Sequence, residues 1–161
     1  MTIFPIFRIV SLLKKLTCRL VNFSKPEPVH TYLLTQITPM TIVKPVLRFY
    51  DYDKTIDFYV KWLGFKVNWE HEFEPGTPKF LQVSFRDIAL YLSEHHGDGS
   101  PNTRVHIQHF EGLRAYHQQL IDKRYKYNRP GLEVPEWDPA SIMVTVIDPV
   151  GNQLTFSERV G

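Results

Sequence analysis

Apolar and polar residues between positions 41 and 71 alternate first with a strand period, then with a helical period, then with a strand period again. Residues 41–50 carry the apolar and β-branched pattern of a strand. The next segment predicts a helix, with Asp51 or Asp53 as its N-cap and Gly64 at its end. Its apolar residues at helical spacing are Ile56, Tyr59, Val60 and Leu63. Residues 65–71 then predict a half-buried strand whose apolar side consists of Phe65, Val67 and Trp69.

The same order of elements occurs a second time along the chain. Residues 79–85 and 88–93 predict a hairpin, which completes a β-α-β-β-β series, and a polar, glycine-rich loop follows at 94–102. The second series has a strand at 104–110, a helix at 113–123, an irregular extended piece at 125–137, and strands at 141–147 and 153–158. The run from Asp148 to Gly151 predicts a type I turn between the last two strands. We therefore expect one α+β domain of two tandem β-α-β-β-β modules, paired because one module cannot cover its own sheet.

Composition narrows the possible functions. With 161 residues, of which 43% are hydrophobic and 22% charged, the chain can form one ordinary globular domain. A net charge of +2 without a block of Lys or Arg gives no support to nucleic-acid binding. The single cysteine, Cys18, excludes an intramolecular disulfide and fits a reducing compartment, so we expect a cytoplasmic protein.

Residues 1–40 differ from the rest of the chain. They are apolar and basic, with no acidic residue before Glu27. Basic residues interrupt the apolar run too often for a membrane span. Three interpretations remain open: an amphipathic surface helix, a targeting segment, or upstream sequence included by choice of start codon. Because Met40 precedes the first strand, we expect 1–40 to be an unmatched extension and 41–161 to be the domain.

Two motifs carry a family resemblance. One runs from Asp51 through Phe58-Tyr59 to Leu63-Gly64-Phe65, and the other is the Asp-Pro-x-Gly-Asn-x-Leu-x-Phe sequence at 148–156. With the module order, they resemble the vicinal-oxygen-chelate (glyoxalase/bleomycin-resistance/dioxygenase) superfamily over residues 43–159. The Glu136-Trp137 pair before the 141–147 strand is most similar to the bleomycin-resistance branch. The resemblance implies a curved, cleft-bearing mixed sheet.

The resemblance also implies where enzymatic members hold a divalent metal, with one side chain from each of four strands. Those positions fall at Lys44, at Tyr91, near Arg104 or Val105, and at Thr155. None of them is the histidine or carboxylate that such a metal requires. We therefore expect no metal, no cofactor and no catalytic residue.

Metal-free members of the family are homodimers that sequester antibiotics such as bleomycin, unmodified, in clefts lined by aromatic and acidic groups. By this resemblance we expect a homodimer that binds a bleomycin-like or other bulky aromatic or cationic antibiotic through stacking and cation–π contacts. The candidate ligand-binding residues are Phe49, Trp69, Phe73, Phe80, Tyr91, His95, Glu136 and Trp137, with Glu70 and Glu72 as further charged groups.

Two other functions remain open. A metalloenzyme, either a lyase or a dioxygenase, would need atypical ligands from Glu94, His95, His96 or His106. Adjacent residues on a strand point to opposite faces, which argues against shared ligation by His95 and His96. A small-molecule sensor, or a dimer without a ligand, is the other alternative.

Overall fold

A four-stranded sheet and a three-stranded sheet, each accompanied by a helix, make up residues 41–161, the part of the chain that this computed structural model describes. The expectations for residues 1–40 lie outside the described residues. The α+β class expected from the sequence is confirmed.

The first sheet comes from the first half of the domain. Its strands are β1 (Val46–Arg48), β2 (Lys66–Glu72), β3 (Lys79–Phe85) and β4 (Ile88–Ser93), in the spatial order β1-β4-β3-β2. β1 runs parallel to β4, whereas β4, β3 and β2 pair antiparallel. The first strand is shorter than predicted because Pro45, just before it, has no amide hydrogen to donate to a strand ladder.

The first helix begins at the predicted cap. The Asp51 carboxylate accepts a 3.0 Å hydrogen bond from the Lys54 backbone N–H, and α1 (Tyr52–Ile56) continues directly into a π-helical segment, Asp57–Trp62. The wider π-helical turn changes which side chains face inward. Phe58 and Trp62 are therefore buried, whereas the predicted Ile56 and Val60 are only half-buried.

The second sheet consists of β5 (Arg104–Ile107), β6 (Ser141–Ile147) and β7 (Gln153–Arg159), in the order β5-β7-β6, and α2 spans Leu113–Asp122. β5 ends before the predicted residue 110, since His109 has a left-handed backbone, with φ of 58°, that cannot continue a strand. The predicted turn is present, with the Gly151 N–H donating to the Asp148 carbonyl at 3.0 Å. The irregular piece contributes a single bridge, Glu133 to Met143, so this module is less regular than the first.

Each sheet has one face in the core and one open face. On the first sheet, Leu47, Leu81 and Leu92 are fully buried together with the aromatic side of the first helix. The prediction that Val67 and Trp69 share a buried side is wrong, because the register shifts between them and they are 38% and 42% exposed. A bulge of this kind shifts the alternation by one residue, which places Trp69 on the open face.

Candidate ligand-binding faces

One cross-strand row defines the open face of the first sheet. Val46 pairs with Tyr91, Tyr91 with Gln82, and Gln82 with Trp69. Residues paired in this way point to the same side of a sheet, and so do residues two apart on one strand, which adds Phe80. We call this surface the first open face; it is lined by Lys44, Trp69, Phe80, Gln82 and Tyr91.

Three of the predicted ligand-binding rings meet on the first open face. The Trp69 and Phe80 ring centroids lie 5.7 Å apart with an interplanar angle of 23°, which is a stacked arrangement. Tyr91 lies 5.3 Å from Phe80 and 5.7 Å from Trp69. All three distances are in the range where aromatic rings attract one another. The three rings therefore form one cluster that a flat ligand can extend.

Polar side chains fix the edge of this cluster. The Gln82 side-chain carbonyl accepts a 3.1 Å hydrogen bond from the Trp69 indole N–H and a 3.2 Å bond from the Lys44 ammonium. The same ammonium lies 5.3 Å from the centroid of the Tyr91 ring, within cation–π range. Sequence reasoning named Lys44 only as a lost metal ligand and did not name Gln82. The signal was present, since β3 alternation places Gln82 beside Phe80.

Phe73 and His95 form a second, smaller group next to Phe80. Phe73 is 73% exposed and packs edge-on against His71 at 4.6 Å and against His95 at 6.0 Å. His71 pairs in register with Phe80, which connects this group to the first open face. The His95 backbone N–H donates to the Ser93 hydroxyl at 3.0 Å and is thereby held at the start of the 94–102 loop.

Phe49 does not join these rings. It is 1% exposed and belongs to the core cluster that contains Leu47. Residues 47 and 49 point to the same side because side chains alternate along extended backbone. In this structure Phe49 packs the core and offers no surface to a ligand.

The carboxylates of Glu70 and Glu72 lie on the opposite side of β2 from Trp69 and bind Lys79, at 2.7 Å and 3.2 Å. Glu70 also accepts a 2.6 Å hydrogen bond from the Tyr52 hydroxyl. The bonds from Lys79 and Tyr52 lower the pKa of Glu70, and bonds from the Gly76 N–H and Lys79 lower that of Glu72. Both carboxylates are ionised and paired away from the first open face.

The second sheet has its own open face, which we call the second open face. His106 pairs with Thr155, and Thr155 pairs with Thr145, whose hydroxyl lies 3.1 Å from that of Thr155. A concavity of about 340 Å³ covers this surface, and its lining includes His106, His109, Trp137, Met143, Thr155 and Arg159. That volume is near the lower end for small-molecule sites.

Trp137, which is 80% exposed, lies at the second open face, and Glu136 is exposed beside it in sequence. Apart from Phe49, the predicted ligand-binding residues are thus divided between two surfaces. Trp69, Phe73, Phe80, Tyr91 and His95 belong to the first sheet, and Glu136 and Trp137 accompany the second.

The positions that the family resemblance implies for a metal are also divided between the two open faces. Lys44 and Tyr91 line the first open face, and Thr155 lies at the second. Near the third expected position, on β5, His106 pairs with Thr155, whereas Val105 pairs with buried Leu154 and packs against the core. Within residues 41–161, no three His, Cys, Asp or Glu side chains lie close enough to hold a metal ion. No helix in this part of the chain has the length and apolar character to cross a membrane.

Residues 29–161 match a family model described as glyoxalase superfamily protein, a match that begins upstream of residue 41. No protein of curated function matches the sequence.

Several solved structures share the fold. A bleomycin-binding protein in complex with bleomycin is 21% identical, covers 74% of this chain and 99% of its own, and gives a TM-score of 0.57. A bleomycin resistance determinant encoded on transposon Tn5 is 20% identical, with coverages of 74% and 98% and a TM-score of 0.58. TnmS3, an antibiotic-binding protein from Streptomyces sp. CB03234, is 20% identical, with coverages of 76% and 98% and a TM-score of 0.54.

Proposed function

Because the chain belongs to the glyoxalase superfamily, we propose that it is a metal-free, homodimeric protein that sequesters a bulky aromatic antibiotic without altering it. The antibiotic is of the bleomycin type or another with a flat ring system. The observation that carries this proposal is the cluster of Trp69, Phe80 and Tyr91 on the first open face. Solved structures with this fold include proteins named for binding bleomycin or another antibiotic.

The cluster is suited to binding because its rings are already arranged. Gln82 holds the indole of Trp69, and Phe80 and Tyr91 are half-buried in the sheet surface. Little side-chain freedom is then lost when a ligand stacks, so more of the contact energy appears as affinity. Stacking contributes roughly 0.5–1.5 kcal/mol for each ring pair beyond the burial of apolar area.

The magnitude of the binding energy supports a dimer. A flat ligand that covers about 200 Å² of apolar surface on one face gains roughly 5 kcal/mol, and the loss of translational and rotational freedom on binding offsets much of this gain. Covering both sides of the ligand doubles this gain and brings the affinity into the range that sequestration needs. We propose that the first open face of one subunit lies opposite the second open face of its partner, giving two equal clefts per dimer.

The protein as proposed acts in the cytoplasm, since its single cysteine, Cys18, is typical of a reducing compartment. In this proposal, protection comes from stoichiometric capture of the antibiotic and not from a chemical reaction. The amount of protein, and not a turnover rate, then sets how much antibiotic is neutralised.

The test is calorimetric titration of bleomycin, and separately of a flat aromatic antibiotic that carries a carboxylate, into the full-length protein. We expect one ligand per subunit for at least one of them, a dimer by sedimentation, and a ligand of unchanged mass after release. If neither compound gives heat, the proposal is wrong. Stoichiometric Ni, Zn or Fe in the purified protein, or a changed ligand mass, would replace it with the metalloenzyme alternative.

A further inference from the structure

Resting on the proposed function, we infer that the first open face selects an aromatic anion: the ring system stacks on Trp69, Phe80 and Tyr91 while a carboxylate or sulfonate oxygen accepts hydrogen bonds from the Lys44 ammonium. This narrows the ligand from any bulky aromatic or cationic molecule to an aromatic acid.

Lys44 is placed to receive an anion at the edge of the ring cluster. Its ammonium lies 5.3 Å from the Tyr91 centroid and donates one hydrogen bond, at 3.2 Å, to Gln82. An ammonium has three N–H donors, and residues 41–161 engage one of them, which leaves two for a ligand on this part of the chain. None of the four ion pairs among the described residues involves Lys44. Its positive charge is therefore not neutralised by a carboxylate of residues 41–161.

Arg48 adds a second cation on the same side of β1. Arg48 pairs in register with Ser93, which lies two residues after Tyr91 on β4. Its guanidinium lies 4.8 Å from the centroid of the Tyr50 ring. Its Nη1 atom is buried and has no hydrogen-bond partner among the described residues. A buried donor of this kind costs free energy until an acceptor is supplied. An atom without exposed surface is not open to a ligand, so Arg48 contributes to this inference through its charge alone.

Among residues 41–161, no carboxylate forms an ion pair with Lys44 or Arg48. Glu70 and Glu72 point to the other side of β2 and bind Lys79. The Asp98 carboxylate accepts a 2.6 Å hydrogen bond from the hydroxyl of Ser93, the residue that pairs with Arg48. Asp98 forms no ion pair with Arg48 itself. The part of this surface that residues 41–161 form beside the rings is therefore positive. A positive surface favours an anion and disfavours a cation by about tenfold or more at contact distance.

The inference is tested with one ring system that carries three different charges. Naphthoate, naphthamide and naphthylmethylammonium have nearly the same aromatic area, so differences in affinity report charge. Binding to the full-length protein is measured by calorimetry, and the Trp69 indole N–H resonance reports whether the site is occupied. We expect the order of affinity to be naphthoate, then naphthamide, then the ammonium, with about tenfold or more between first and last.

Two substitutions isolate the role of Lys44. Lys44→Gln should bring naphthoate to the affinity of naphthamide, whereas Lys44→Arg should keep most of the preference. Lys61→Gln is the matched control, because it removes the same charge from an exposed position on the first helix, where Lys61 pairs with Asp57. Thermal melting verifies that each variant is folded, and the preference of the unmodified protein tests the inference even if a variant is not.

The outcomes separate this inference from the proposed function. If all three naphthalenes bind equally, or if Lys44→Gln keeps a full preference for naphthoate, the anion inference is wrong although an aromatic site remains. If neither the naphthalenes nor the antibiotics bind, the proposed function fails as well. Preference for the ammonium would overturn the inference and favour the cationic antibiotic.

Discussion

The Tyr59 hydroxyl donates a 2.9 Å hydrogen bond to Oδ2 of Asp148, a residue 89 positions later in the sequence. The same carboxylate oxygen accepts a 2.8 Å bond from the Asn152 side-chain amide, and Oδ1 accepts from the backbone N–H groups of Val150 and Asn152. Asp148 is 6% exposed, and burial raises its pKa despite these four hydrogen bonds. One carboxylate thus joins the first helix to the last turn.

Tyr59→Phe should destabilise the protein more at neutral pH than at acidic pH. A carboxyl with a raised folded-state pKa contributes stability that is present below its unfolded pKa and is lost as pH rises through the folded value. Removing a donor to the carboxylate raises that pKa further, so the loss of about 1–3 kcal/mol appears once Asp148 ionises. Urea unfolding at acidic and at neutral pH measures the difference.

Tyr52→Phe is the control for this experiment. Its hydroxyl also donates to a carboxylate, that of Glu70, but near the surface, where solvent can replace the lost bond. We expect a loss below about 1 kcal/mol. An equal loss for Tyr59→Phe at both pH values would show that the Tyr59 hydroxyl does not act through the ionised carboxylate.

Gly151→Ala should cost more stability than Gly76→Ala. Both glycines have left-handed backbones, with φ of 89° and 85°, so alanine adds a similar strain of about 1–2 kcal/mol at each. The added methyl group meets nothing within 4 Å at Gly76, but at Gly151 it overlaps the Asn102 side-chain carbonyl. Combining Gly151→Ala with Asn102→Gly should recover the difference, and chemical unfolding measures all three variants. Equal losses for the two single variants would show that the Asn102 side chain moves aside freely.

Trp69→Leu should weaken binding of an aromatic ligand severalfold while leaving the unfolding temperature nearly unchanged. Trp69 is partly exposed and stacks on Phe80 at the open face, so the substitution removes a stacking surface and leaves the core intact. Tyr127→Leu, at another exposed ring outside both open faces, is the matched control. Calorimetry with the best ligand compares them, and equal affinity for both variants would exclude Trp69 from the site.

Trp137→Ala should also weaken binding more than it lowers stability, since the side chain is largely solvated. If one ligand contacts both open faces in a dimer, the double variant with Trp69→Leu should show non-additive losses in a mutant cycle. Strictly additive losses would mean that the two surfaces bind independently. If Trp137→Ala binds the ligand with the same affinity as the unmodified protein, Trp137 is not part of the site.

Local patterns predicted the fold well where a single interaction decides the structure. The Asp51 cap and the turn at Asp148–Gly151 both follow from short-range hydrogen bonding and lie where the sequence placed them. The π-helical turn and the bulge near Trp69 were not predictable, because each changes the period on which the pattern is read. Those two irregularities decide which rings are buried.

Local patterns in the sequence predicted only part of the candidate site. Trp69, Phe80 and Tyr91 were named and do lie together. Phe49 was wrongly predicted to bind ligand, although alternation with Leu47 places both side chains on one side of the strand. The pairing of Glu70 with Lys79 depends on cross-strand contacts that no local pattern contains. The role of the Lys44 ammonium was not predicted, because its contacts with Gln82 and Tyr91 join residues that lie far apart in the sequence.

The arrangement of the first sheet has an evolutionary consequence. Leu47, Leu81 and Leu92 secure the strands from behind, and the ladder hydrogen bonds do not depend on which side chains project forward. Exchanges at Lys44, Gln82 or Tyr91 should therefore alter what is captured at little expense to folding. Under the proposed function, selection can change the ligand specificity of this surface one residue at a time without a large loss of stability.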